Sequence, residues 1–201
     1  MKILILSIAA ITGLFTACSN SSADKKNNTG SSTQPVVSNT DTATKPITDT
    51  AATAAKATVS IKDIVDTYLQ MKNAFAKDNA ATAATTATAL TTALANFNKT
   101  ALTPAQLKTY SDIEDDAKEH AAHIEKNAGN IKHQREHFDM LSKDIYQLVK
   151  TFGGGQKLYY DHCPMFNDGK GANWISETKE IKNPYFGKAM STCGVVKEEL
   201  K

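Results

Sequence analysis

Cys163, Met165, Met190 and Cys193, with His162 beside the first cysteine, are the side chains in this sequence best suited to chemistry. They stand in two short runs, Tyr159-Tyr160-Asp161-His162-Cys163-Pro164-Met165 and Met190-Ser191-Thr192-Cys193-Gly194, separated by a Gly-rich turn and Trp174. Thiolate and thioether sulfur select Cu(I) and similarly soft ions, while imidazole suits copper and zinc. Convergence of this set would build a soft-metal site. The two cysteines also carry a plainer chemistry, a Cys163–Cys193 disulfide whose loop of about thirty residues is worth roughly 3–4 kcal/mol in the chain-entropy account. Metal site, disulfide and a redox-dependent mixture of the two all remain open on the sequence. Each methionine alone would serve equally well as flexible core filler.

A second constellation lies upstream. His133 and His137 are one helical turn apart, and on a wheel centred between Ile131 and Leu141 they fall roughly 110° and 70° from the apolar stripe, on its boundary. They either share the metal site of the C-terminal segment or line a solvated face. The same run spells His-x-x-Glu-His, an inverted zinc-protease pattern with Glu136 as general base, which would need Glu177 or Glu180 as a third ligand. A packed bundle helix leaves no cleft for a substrate, so a non-enzymatic role is expected. His120 and His123, three apart on the preceding helix, are not assigned to a site.

The elements that must position these residues begin after an export signal. Lys2 precedes an apolar run, Ile3 to Phe15, too short to span a bilayer, so residues 1–17 read as a signal peptide. Leu14-Phe15-Thr16-Ala17-Cys18 resembles a bacterial lipobox, which implies that Cys18 carries the lipid and anchors the protein to the membrane. Residues 18–57, rich in Ser, Thr, Asn, Ala and Lys, cannot bury enough surface to fold and read as a flexible linker. Removal of Cys18 from the thiol pool leaves Cys163 and Cys193 as a pair in an oxidising compartment. Ser19 and Asn20 lack an inner-membrane-retaining aspartate, which favours a periplasm-facing outer-membrane position.

Residues 58–201 are of single-domain size. A net charge of +2 gives no nucleic-acid footprint, and Walker, dinucleotide and nucleophile-elbow motifs are missing. Four helical patterns follow one another: from Ser60 through Phe75, from Asp78-Asn79 to Phe97, from Thr103-Pro104 through Ile124, and from Ile131 through Phe152, which Gly153-Gly154-Gly155 closes. The expected fold is all-α, an antiparallel four-helix bundle. An irregular Cys/Met-rich C-terminal tail, with one short hairpin at most, would pack on it through Trp174, Tyr185 and Phe186.

The run His133-Gln134-Arg135-Glu136-His137-Phe138, with His162-Cys163-Pro164-Met165, Gly169-Lys170-Gly171-Ala172-Asn173-Trp174, Ile181-Lys182-Asn183-Pro184-Tyr185-Phe186-Gly187 and Met190-Ser191-Thr192-Cys193-Gly194, resembles a bacterial domain of unknown function. That domain occurs alone in lipoproteins and appended to membrane-fusion subunits of copper and silver efflux pumps. The resemblance spans roughly Ile61 to Leu200 and is densest in the last seventy residues. Tyr-x-Cys-Pro-Met followed by Cys-Gly is also similar to small heavy-metal-binding modules, although His162 here precedes the cysteine and the second Cys-Pro-x-Cys is missing. Together these imply an envelope lipoprotein that binds Cu(I) or another soft ion beside heavy-metal efflux components. The competing expectation is a disulfide-stapled interaction module that docks such a pump or another envelope protein.

Overall fold

The structure is a computed structural model that describes residues 59–201. The expected signal peptide 1–17, the expected lipid-bearing Cys18 and the expected linker 18–57 therefore lie outside the described residues.

Four helices come first: α1 Lys62–Ala76, α2 Ala80–Ala95, α3 Pro104–Lys126 and α4 Ile131–Phe152. Their ends follow from local chemistry. Thr103 and Gln106 close a reciprocal capping box ahead of Pro104. Asn79 and Asn130 accept the Thr82 and His133 backbone N–H groups at 3.0 and 3.2 Å. Ser60, three residues before Asp63, has the spacing of a helix cap but does not cap α1; Ile61 holds that position, and the Ser60 hydroxyl accepts the Lys62 N–H at 3.3 Å instead. The threonines of α2 weaken its propensity, but five of its six, Thr85, Thr86, Thr88, Thr91 and Thr92, donate their hydroxyls to carbonyls one turn back.

Successive helices pack on one another and α1 closes against α4. Most of the stripes expected from periodicity are buried: Ile64, Val65, Tyr68, Met71 and Phe75 on α1, Ala83, Ala87, Leu90 and Leu94 on α2, Tyr110, Ile113, Ala117, Ala121 and Ile124 on α3, and Phe138, Leu141, Ile145 and Leu148 on α4; Leu107, expected to open the α3 stripe, is instead 41% exposed in the first turn of that helix. No described helix is long and apolar enough to cross a membrane.

The tail corrects the all-α expectation. Strands β1 Leu158–Cys163, β2 Ala172–Ser176 and β3 Val195–Leu200 form an antiparallel sheet in the order β2-β1-β3, with a 3-10 turn at Gly187–Met190. The fold is mostly helical with a small sheet. The turn between β1 and β2 needs left-handed backbone, supplied by Asn167, Asp168 and Gly169. On the other edge β3 pairs with β1, placing Val195 opposite His162, after an irregularity between Tyr160 and Asp161.

Tyr68 ties sheet to bundle. Its hydroxyl accepts the Ile175 N–H at 3.1 Å and shares a 2.8 Å hydrogen bond with Ser142, joining α1, α4 and β2 in one buried contact. Trp174 and Tyr185 are buried as expected, and Phe186 half-buried. Arg135 crosses from α4 to donate to Pro184 O, Phe75 O and Asp78 Oδ1 at 2.7, 2.9 and 2.7 Å.

Candidate metal centre

Cys163 ends β1 and is fully buried; Cys193 lies two residues before β3 and is half-exposed. Their sulfurs are 3.2 Å apart and both thiols are free. The approach is built by the chain around Cys193. Asn183, wholly buried, donates to the Cys193 carbonyl at 2.6 Å while its Oδ1 accepts the Tyr185 and Phe186 N–H groups. Cys193 N–H donates to Met190 O at 3.1 Å. Gly194 has a φ of +148°, and a Cβ there would stand 2.8 Å from the Trp174 ring and 3.0 Å from His162 O, so only glycine lets this turn press against the sheet. The hydrogen bond with Cys163, then burial, raises the Cys193 thiol pKa.

The methionines and His162 are placed less closely. Met190 shares the turn of Cys193. Met165 is 53% exposed and lines a surface depression with Lys132, Glu136, Phe166 and Phe186. Side chains alternate along a strand, which sends His162 to the face opposite Cys163, and its Nδ1 meets Asn173 Oδ1 across the β1–β2 ladder at 2.9 Å.

His133 and His137 turn toward α3, where His120 and His123 meet them. His120 and His137 share an Nδ1···Nδ1 contact of 3.3 Å. His123 stacks on His137 with centroids 4.1 Å apart, and His133 stands edge-on to His137 at 4.7 Å. Ligand atoms of His123, His133 and His137 all lie within 4.8 Å of one another, and among the described residues no other three His, Cys, Asp or Glu side chains do so. Burial, then the neighbouring imidazoles, lower the His137 pKa to about 4, so its ring is neutral at neutral pH. Burial also lowers that of His120.

The zinc-protease arrangement does not form around this cluster. Glu177 is held by Lys72 and Asn73 of α1 at 2.8 and 2.7 Å, and Glu180 pairs with Lys182 at 3.1 Å. The third imidazole comes from α3. Periodicity had already set His120 and His123 on one face of α3; which face of α4 they would meet is a tertiary fact that spacing alone does not contain.

Two buried charged groups were not foreseen as such, although Lys72 stands at helical spacing with the apolar stripe of α1. Lys72 and Asp161 are both fully buried, Lys72 ion-paired to Glu177 and Asp161 with neither carboxylate oxygen hydrogen-bonded. Burial drives the Asp161 pKa up to about 7 and lowers that of Lys72.

Most of the helical segment falls within the match of a sequence-family model. Residues 64–157 match DUF3347, a protein family of unknown function. The DUF3347 match runs from the first turn of α1 to the residue before β1, so it takes in the histidine cluster and stops short of Cys163. The resemblance read from the residues was densest in the last seventy, of which the match takes in the part up to residue 157 and leaves out the sheet. No curated protein and no solved structure matches the chain.

Proposed function

We propose that this protein binds a soft metal ion, Cu(I) or a close chemical relative, at Cys163 and Cys193, and serves as an accessory to heavy-metal efflux or homeostasis in the cell envelope. The observation that carries the reading is the 3.2 Å approach of the two sulfurs on a turn fixed by Asn183 and Gly194. Two thiols release their protons to solvent and bind the Cu(I) ion as a dithiolate, with no change of oxidation state. Half-exposed Cys193 is the point of entry and buried Cys163 the inner ligand, while Met190, in the turn of Cys193, supplies a thioether within the same loop. Residues 1–17 would direct export and Cys18 would hold the protein to the periplasm-facing outer membrane.

The test is Cu(I) competition against a chromogenic chelator with the reduced protein. Cys163→Ser should lose at least tenfold in affinity and Met165→Leu much less, because a neutral thioether adds no charge to the complex. Replacing Cys18 by Ser should abolish palmitate labelling; unchanged labelling would remove the anchor from the account.

The same sulfur contact favours a second reading. Closing it to a disulfide requires an approach of about 1 Å to the normal bond length, with two protons released to solvent and two electrons passed to a thiol oxidant of an oxidising compartment. An oxidised pair would staple β1 to the turn before β3, leaving a non-enzymatic module that docks an efflux component. Protein that resists thiol reagents as isolated, and binds no Cu(I) after reduction, would establish that alternative.

A further inference from the structure

We propose a second metal site, separate from the thiol pair and of different selectivity, in which His123 of α3 and His133 and His137 of α4 hold a divalent first-row ion of the zinc or copper(II) class. The chain has five histidines, and four of them meet in this one seam between two helices. The fifth, His162, is paired to Asn173 on the sheet. Imidazole donors without thiolate suit borderline divalent ions rather than Cu(I). Three imidazoles leave the fourth tetrahedral position for water or another ligand.

Outer contacts already orient the rings as a metal would require. Glu136 Oε2 stands 3.1 Å from His133 Nδ1, which fixes a proton on that nitrogen and leaves Nε2 free to ligate. In the tautomer in which His137 Nδ1–H donates to His120 Nδ1 across their 3.3 Å contact, His137 likewise presents Nε2. His120 thus acts as a positioning residue. Nitrogens about 2.0–2.1 Å from a tetrahedral ion sit about 3.3 Å apart. The observed spacing, all within 4.8 Å, must tighten toward that value on binding, and His123, whose side chain is 45% exposed, has room to move from its stack on His137. The same exposure provides the entry path. His123 lies in the last turn of α3 and His133 in the first turn of α4, so an ion there would clamp the Asn127–Asn130 connection.

Full-length protein titrated with zinc chloride, with the imidazole nitrogens followed by NMR, tests the proposal. One equivalent of zinc should shift the His123, His133 and His137 resonances and leave His162 in place. The thermal midpoint should rise with zinc in the wild type and in Cys163→Ser, and should not rise in His137→Ala. His133→Gln, a second variant in case His137→Ala is unfolded by far-UV signal, should weaken zinc binding at least tenfold, and His120→Ala less than either. Zinc binding that survives His133→Gln, or that disappears in Cys163→Ser, would overturn the second site; loss of Cu(I) binding alone would overturn only the thiol site.

Discussion

The bundle and the sheet satisfy their polar groups over very different distances along the chain. Helix caps draw on neighbours three residues away, as Thr103 with Gln106 and Asn79 with Thr82, and the α2 threonines reach only one turn back. The sheet region depends on partners more than a hundred positions upstream: Ile175 N–H on Tyr68, Asn73 on Glu177, Lys188 N–H on Asp78. A segment whose contacts are that distant cannot order itself before the helices exist. The turn that brings Cys193 to Cys163 is fixed locally by Asn183 and Gly194 and rests on a sheet tied to the bundle by these distant bonds, whereas the histidine seam is built from α3 and α4.

Changes at the junction sharpen this contrast. Phe138 stacks on Tyr68 at 5.2 Å and touches Phe75 and Tyr185 at 5.0 and 5.8 Å, so Phe138→Ala should cost about 3–5 kcal/mol and bring down both regions together. Urea unfolding read by helical signal and by Trp174 fluorescence should give coincident transitions. Arg135→Met removes donors to Pro184 on the tail and to Phe75 and Asp78 on the α1–α2 turn, and should cost about 2–3 kcal/mol. Here the Trp174 signal should move first. Coincident curves in this mutant would show that sheet and bundle are one cooperative unit.

Asp161 gives the comparison a pH dependence. Its folded pKa, about 7, lies above the usual carboxylate value, so its contribution favours folding at low pH and is lost as pH rises toward 7. Asp161→Asn should stabilise the protein at pH 8, by on the order of 1–3 kcal/mol, and the gain should shrink toward pH 4. A gain equal at both pH values would remove burial of the charge as its cause. Thr103→Ala, at the far end of the dependence, should cost about 1 kcal/mol and leave Cu(I) affinity unchanged, because the cap touches only the bundle.

Much of the bundle was legible because a helix writes its buried face at a period the sequence displays, and Thr103-Pro104 and Gly153 mark ends by chemistry that acts within a few residues. The sheet was not, since Val195-Val196-Lys197-Glu198-Glu199-Leu200 becomes a strand only by pairing with β1, more than thirty residues earlier. The approach of Cys163 to Cys193 was anticipated as a pair and is found at 3.2 Å. His133 and His137 were placed on a helix boundary, and they are half-buried there, but spacing on α4 carried no information about the imidazoles of α3 that face them. Lys72 sat among the periodic positions of α1 without any sign that its amine would be buried against Glu177.

The most direct test of the soft-metal account is the stoichiometry of Cu(I) on fully reduced, full-length protein, measured together with the reactivity of Cys163 and Cys193 toward a thiol reagent. The account predicts about one Cu(I) per chain, release of protons on binding, and both thiols protected once the ion is bound. Reduced protein that binds no Cu(I), with both thiols still reactive in its presence, would contradict it.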